Sequence, residues 1–415
     1  MSEPYREHYS AWLVEHGAAA RTLPELLDGF CRFLTAEGFA IHRCNLATDT
    51  IHPQMTGLRH VWFAEAIDPG AINPAVLVAR RQYRIGEALI DEIFFNAGSQ
   101  ENPQYKASPF YQIEQLGELY EAIGPAGGPQ PYPVFEDLAQ QGCTAYFGLR
   151  LNSFAGMLQK IGLASRRPGG LDPARIVDLR WSLGLLTLHI NTLIEASIKD
   201  TLARVYLGRD PGQRVSQGMI AVGNVVALEG AIWFSDLRGF TQSSERLTPE
   251  ELIETLNTYF GALVGPLYAE GGEILKYIGD AILAVFPTSR FGDGALACRA
   301  ALAAVQAAQD RLDAINAQRT AAGLDVLNHG VGLHYGEARY GNVGSQERLD
   351  FTLIGREVNV ASRIEGLTKQ LDRSPLCSQT FADAAGLAME PLGSFPLKGV
   401  AEETAILSPH ATDPP

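Results

Sequence analysis

GGEILKYIGDAILAVF, residues 271–286, reads as two short apolar strands, Ile274–Ile278 and Ala281–Phe286, folded about Gly279-Asp280. Gly supplies the turn, and Asp280 is left at the hairpin tip between two hydrophobic runs. An unpaired carboxylate is costly there unless it meets a cation. Working outward, the hairpin is preceded by a helical pattern over Pro249–Leu267 and, before that, by a strand at Ala231–Phe234. It is followed by an Ala-rich helix, Gly294–Ala317, and a strand that starts at Gly330–His334. The order is βαββαβ, which predicts an α+β, ferredoxin-like layer of helices on an antiparallel sheet.

The first of these strands runs into WFSDLRGFT, residues 233–241, which places Asp236 at a strand terminus beside a turn. Oxygen ligands at such a place suit a hard cation, and the amides of Gly239, Phe240 and Thr241 are placed to face phosphate oxygens. Taken alone, Asp236 or Asp280 has the ordinary reading of a turn or helix cap. A third segment, DFTLIGREVNVASRIE at 350–365, changes that balance. It predicts a strand over DFTLIG and then a helix on which Asn359 and Arg363, four apart, share a face. Two carboxylates able to hold two divalent ions, next to a polar helical face, describe a site for in-line displacement at phosphorus.

Together the three motifs resemble the class III nucleotide cyclases over roughly Val225 to Ser408, in the family's order. The resemblance implies a ferredoxin-like catalytic domain that converts ATP to 3′,5′-cyclic AMP and pyrophosphate with two Mg²⁺ or Mn²⁺ ions. By position, Asp236, Asp280 and the carbonyl of Leu237 would bind metal; Lys276 and Thr352 would read the base. Asn359 would orient the ribose, and Arg363 would stabilise charge on the α-phosphate. Gly239, Phe240, Thr241 and Lys398, in FPLKGV, would contact the triphosphate, with Arg348 a further contact to pyrophosphate. Thr352 falls where many adenylate cyclases have Asp. Thr there resembles the class IIIb branch, often stimulated by bicarbonate, and its hydroxyl can still bond the adenine amino group. Guanylate cyclases usually place Glu and Cys at the two base-reading positions, which favours ATP. In this family the site lies between two catalytic domains. Both sets of residues are present in this chain, so a homodimer would build two equivalent sites. The alternatives are a catalytically silent, ligand-sensing dimer that uses a cyclase-like domain for docking, and a guanylate or diguanylate cyclase. The intact Asp residues oppose the first. The GGEIL turn, without a following Phe, opposes a diguanylate cyclase.

The remaining sequence predicts a regulatory half. The chain has 415 residues, a prior for two or three domains, with 46% hydrophobic and 19% charged residues, which excludes a disordered tail. A net charge of −14 disfavours nucleic acid and anionic membranes as partners, although not a local basic pocket for a small anion. The five cysteines are scattered, without a CxxC pair, which fits a reducing cytoplasm; neither an export signal nor an apolar run of spanning length is present. Thr22 and Pro24 start an amphipathic helix carrying Leu23, Leu27, Phe30 and Leu34. Ala40–Leu46, His60–Ala66 and Ala145–Leu151 read as strands. The Pro/Gly/Gln-rich stretch Ala97–Pro133 reads as a long loop over a pocket. His42, His52 and His60 with Cys44 match no common metal or haem spacing. From Asp172 and Pro173 a long helix carries Ile176, Leu179, Leu183, Leu186, Ile190 and Leu193, an a/d seam that slips one residue to Ile194, Ile198, Leu202 and Val205 and predicts pairing with a second copy, packing on its own domain alone being the alternative. Residues 1–172 thus resemble a GAF-like sensor domain for an unknown small-molecule ligand. Residues 173–224 would be an exit helix and transducer, 225–408 the catalytic domain and 409–415 a tail. A signal in the sensor would change helix pairing and so the closure of two catalytic domains.

Overall fold

The computed structural model describes residues 3–52, 55–68, 77–96, 101–125, 127–152, 156–400 and 402–409. They form two units, Met1–Leu202 and Ala203–Pro415. No helix among the described residues is long and apolar enough to cross a membrane.

The first unit contains α1 (Glu3–Trp12), α2 (Leu23–Ala36), β1 (Ile41–His52), β2 (Met55–Phe63), β3 (Leu77–Ile85), β4 (Ala88–Phe95), α3 (Pro103–Lys106) and α4 (Pro109–Leu116). It continues with β5 (Glu118–Ala122), α5 (Pro133–Gln140), β6 (Ala145–Leu151), β7 (Gln159–Ser165) and most of α6 (Pro173–Leu207). The strands make one antiparallel sheet in the order β3-β4-β2-β1-β7-β6-β5. Strand alternation gives that sheet two faces. Cys44, Leu46, Trp62, Phe147, Ile161 and Leu163 face a core shared with α1, α2 and α6, while Tyr146 and Ala164 on the other face pack with Ile113, Phe135 and Leu138 of α4 and α5. The amphipathic start of α2 forms as its sequence dictates, with Thr22 accepting the Glu25 N–H at 3.3 Å. This sheet-rich α+β unit is consistent with a GAF-like domain.

Two expectations are corrected here. Ala97–Pro133 is not a loop throughout: among its described residues are α3, α4 and β5. Three of its six prolines, Pro103, Pro109 and Pro133, stand at the first positions of α3, α4 and α5, where a missing N–H costs nothing, while Pro125, Pro129 and Pro131 do lie in a loop. The seam on α6 does not await a second copy over most of its length. Leu179, Leu183, Leu186, Ile190 and Ile194 are buried in this unit's own core, because a heptad stripe specifies an apolar neighbour without naming it. The histidines are likewise partnered as structure: His42 meets Gln141 at 3.1 Å and His60 meets Glu92 at 3.1 Å. No group of three or more metal-ligating side chains occurs among the described residues. The side chain of His52 lies outside them.

The second unit holds α7 (Arg209–Ser216), β8 (Val225–Leu237), α8 (Phe240–Arg246), α9 (Pro249–Ala269), β9 (Glu273–Ile278), β10 (Ala281–Pro287), α10 (Thr288–Phe291) and α11 (Gly294–Ala321). Then follow β11 (His329–Gly344), β12 (Leu349–Ile354), α12 (Arg356–Leu371), β13 (Leu376–Ser378), α13 (Gln379–Ala385), β14 (Glu390–Phe395) and β15 (Thr404–Ser408). Its sheet has the order β14-β15-β13-β11-β8-β10-β9, with β12 on β11. The run β11-β8-β10-β9 is the ferredoxin-like arrangement of the βαββαβ segment. A capping box at Thr248 and Glu251 starts α9. The Ala stripe of α11 lets it lie close to α9 over Trp233, Leu333 and Phe286.

On the opposite face, α12 approaches β11 closely because glycines stand beneath it. A Cβ at Gly332 would come within 2.4 Å of the Ala361 carbonyl oxygen. His334 of β11 is buried between Ser378, at 2.7 Å from Nδ1, and Glu357, at 2.5 Å from Nε2. Burial lowers its pKa, Glu357 opposing and Arg356 adding to the effect. A group whose folded pKa is depressed contributes stability above its unfolded pKa, which is lost as pH falls. The contribution of His334 to the melting temperature of this unit is therefore expected to fall as pH is lowered below about 6.5. His334→Gln should remove that contribution, as followed by circular dichroism across pH 5–8.

Candidate active site

The end of β8 and the tip of the β9–β10 hairpin are brought side by side because β8 pairs with β10, Ser235 facing Ile282. This joins Asp236 to Asp280. Burial and then the like charge of Asp280 push the Asp236 carboxyl up to about 6, although the Leu237 N–H donates to it. A carboxylate raised by its twin is what a divalent cation would relieve, so the donor set fits hard-metal chemistry. Leu237 closes β8. Gly239, at φ 76°, breaks the strand, and Phe240 and Thr241 open the short α8.

Glu365 on α12 also faces this pair and was not anticipated. Burial and the charge of Asp236 push it up to about 7, with Arg238 opposing. Arg238 anchors the same corner, its guanidinium donating to the Thr368 carbonyl at 3.0 Å near the C-terminal turn of α12. Glu365 follows Arg363 by two positions, a signal visible in the sequence only once α12 is known to lie on β8 and β11.

The structure also assembles a second group. Lys276 of β9 makes an ion pair with Asp350 of β12, and Thr352, two residues along β12, lies on the same strand face. Asp350 was not among the expected residues, since nothing in the sequence links it to Lys276. Both partners are more than a third exposed, so the pair contributes little to stability. Its effect is on where the ammonium is held. Asp350→Ala is expected to change the melting temperature by no more than a degree or two, which thermal scanning will check.

Asn359 and Arg363 lie one turn apart on the exposed side of α12, while Val360, Ala361 and Ile364 are buried. Glu365 stands about 200° further round the helix than Arg363. The face that meets Asp236 is therefore not the face that carries Asn359 and Arg363. Lys398 is exposed in the turn after β14, and Arg348 is exposed in the β11–β12 turn.

Residues 228–407 match the family described as the adenylate and guanylate cyclase catalytic domain. An adenylate cyclase of Anabaena cylindrica is 43% identical over 155 residues, covering 36% of this chain and 30% of that protein. Adenylate cyclase 1 of Rhizobium meliloti is 36% identical over 170 residues, covering 40% and 25%. The chain thus spans a third or less of the length of these relatives. The crystal structure of the adenylyl cyclase CyaB from P. aeruginosa aligns with a TM-score of 0.42 at 27% identity, covering 46% of this chain and all of that one. The second unit of this protein carries, over residues 228–407, a member of the adenylate and guanylate cyclase catalytic domain family.

Proposed function

We propose that the protein is an adenylate cyclase, forming 3′,5′-cyclic AMP and pyrophosphate from ATP at sites shared between two copies of the chain. The observation that carries this reading is the separation just described. One chain offers Asp236 and Asp280 at one corner, and Asn359 and Arg363 on the outward side of α12. A two-fold dimer would bring the missing half to each pair. Lys276 donates to the base and Thr352 bonds its amino group, which supports ATP over GTP. Asn359 holds the ribose so that its 3′-oxygen lies in line with the α-phosphorus, and Arg363 meets the charge that develops on the phosphoryl oxygens. Lys398 and the Gly239–Thr241 amides hold the outer phosphates. Two divalent cations, Mg²⁺ or Mn²⁺, held by Asp236, Asp280 and the Leu237 carbonyl, would supply the positive charge that acidifies the hydroxyl and steadies pyrophosphate.

In the same reading the first unit is a sensor that sets the rate, and bicarbonate at fixed pH raises it. The test is cyclic nucleotide production by the full-length protein from ATP and from GTP, with Mg²⁺ or Mn²⁺ and Asp236→Ala as the blank. Cyclic AMP that disappears in the variant is the expected result. Cyclic GTP-derived product alone would reverse the base assignment, and silence with both nucleotides would favour a non-catalytic docking domain.

A further inference from the structure

Behind the sheet of the first unit, on the face away from α6, lies a cavity of about 870 Å³. That is the size of sites that enclose small organic molecules. Its walls are β1, β2 and β7 on one side and α3, α4 and α5 on the other. The apolar part includes Leu58, Phe95, Phe110 and Leu138.

The charged part is out of balance. Arg43 and Arg59 both line the cavity, and neither has an ion-pair partner among the described residues. Arg43 lies over the Phe63 ring and Arg59 over the Phe95 ring, each 5.1 Å from the centroid. Aromatic faces hold the guanidinium planes and leave their N–H edges unspent. Burial lowers the pKa of both; Arg59 is pushed down to about 10, with the like charge of Arg43 adding.

Three of the four acids near them are committed elsewhere. Asp91 takes Arg80 at 2.7 and 2.8 Å. Glu114 takes Lys160, the third cation of the wall, at 2.8 Å, and Asp49 accepts the Leu158 N–H at 2.9 Å. The fourth, Asp137, lines the wall at an exposed position, and its charge acts on Arg43 without an ion pair to it. The internal stretches outside the described residues contain neither Asp nor Glu.

Three further buried atoms of cavity-lining residues have no hydrogen-bond partner among the described residues: Arg59 Nε and the Tyr146 hydroxyl, which can donate to an anion, and Asn45 Oδ1, which can accept from a ligand's hydroxyl or N–H. Unmet polar atoms around a cationic cavity are a cost that a ligand would remove. Tyr146 reaches its place only because β7 has glycine two residues from its pairing partner Ala164: a Cβ on Gly162 would come within 1.9 Å of the hydroxyl.

We propose that this cavity binds a small organic anion, a carboxylate or phosphate monoester on an apolar or aromatic body, with its charge held between Arg43 and Arg59. The inference is independent of the cyclase reading, since it concerns binding to the first unit alone. The probe is 8-anilinonaphthalene-1-sulfonate, an aromatic anion that fluoresces on entering an apolar site, titrated into the full-length protein. Phenylacetate and phenyl phosphate are then compared as competitors with neutral phenylacetamide.

Saturable probe binding is expected, with at least one of the two anions competing roughly tenfold or more better than the amide. The better anion identifies the acid group. Arg43→Gln and Arg59→Gln should each weaken probe binding roughly tenfold, while Arg59→Lys stays within a few-fold of the native protein. Absence of saturable binding, competition by the amide equal to that of both anions, or unchanged probe affinity in the folded Gln variants would overturn the proposal. If a Gln variant fails to fold, the comparison of anions with amide on the native protein decides.

Discussion

Asparagine in place of Asp280 is expected to lower cyclic nucleotide production by roughly three orders of magnitude and to leave the protein folded. Asn has nearly the shape of Asp but no charge, so the hairpin tip keeps its packing and loses its attraction for a divalent cation. The like charge of Asp280 is one of the forces that raise the Asp236 carboxyl to about 6. Removing it relieves Asp236, and the melting temperature should hold or rise. This is the opposite of what a core mutation does, and the two readouts together separate a metal ligand from a structural carboxylate. Activity is measured at saturating Mn²⁺ and ATP, and stability by thermal scanning without metal. Retained turnover, or lost turnover with a fallen melting temperature, would each sink the assignment.

How far the fold could be read in advance follows from where the period of the sequence changes. In the second unit, apolar runs of four to six residues alternate with long helical patterns. The strand–helix–hairpin–helix–strand order of β8 to β11 is therefore legible before any coordinates. In the first unit Ala145–Leu151 is legible for the same reason and matches β6. The β3–β4 hairpin is not. LVARRQYRI carries three arginines because β3 is an edge strand, where charge discourages further pairing and conceals the alternation.

Side-chain relations fared unevenly for a similar reason. Asp236 and Asp280 stand at strand ends that the hairpin order brings together, so their meeting could be anticipated. The Lys276–Asp350 pair depends on how β9 and β12 lie on one surface, and Glu365 on the close seat of α12 over the β11 glycines. Neither is local. The first part of the α6 seam misled for a different reason: Leu183 and Ile190 record that something apolar covers them, and this unit's own core does so as well as a second chain would.

The shared-site reading makes a demand that a single-chain site does not. Asp280→Asn and Arg363→Ala should each be nearly inactive alone, for different reasons: the first lacks metal affinity, the second lacks charge opposite the transition state. In a dimer exchanged between equal amounts of both, half of the molecules pair one variant with the other. Within each such pair, the site built from the intact Asp residues of one chain and the intact Arg363 of its partner is whole, and the other site carries both lesions. Recovery should therefore approach about a quarter of the native rate per chain. If the two groups instead met within one chain, every site would contain one lesion and mixing would restore nothing. Exchange is verified independently by co-purification of differently tagged chains, so an inactive mixture with proven exchange would count against shared sites. The exposed face of α12 gives the physical reason to expect recovery: Asn359 and Arg363 point outward from a helix whose other side is already filled by Ala361, Ile364 and Glu365. In the shared-site reading, that face is served by the metal-binding corner of the partner chain.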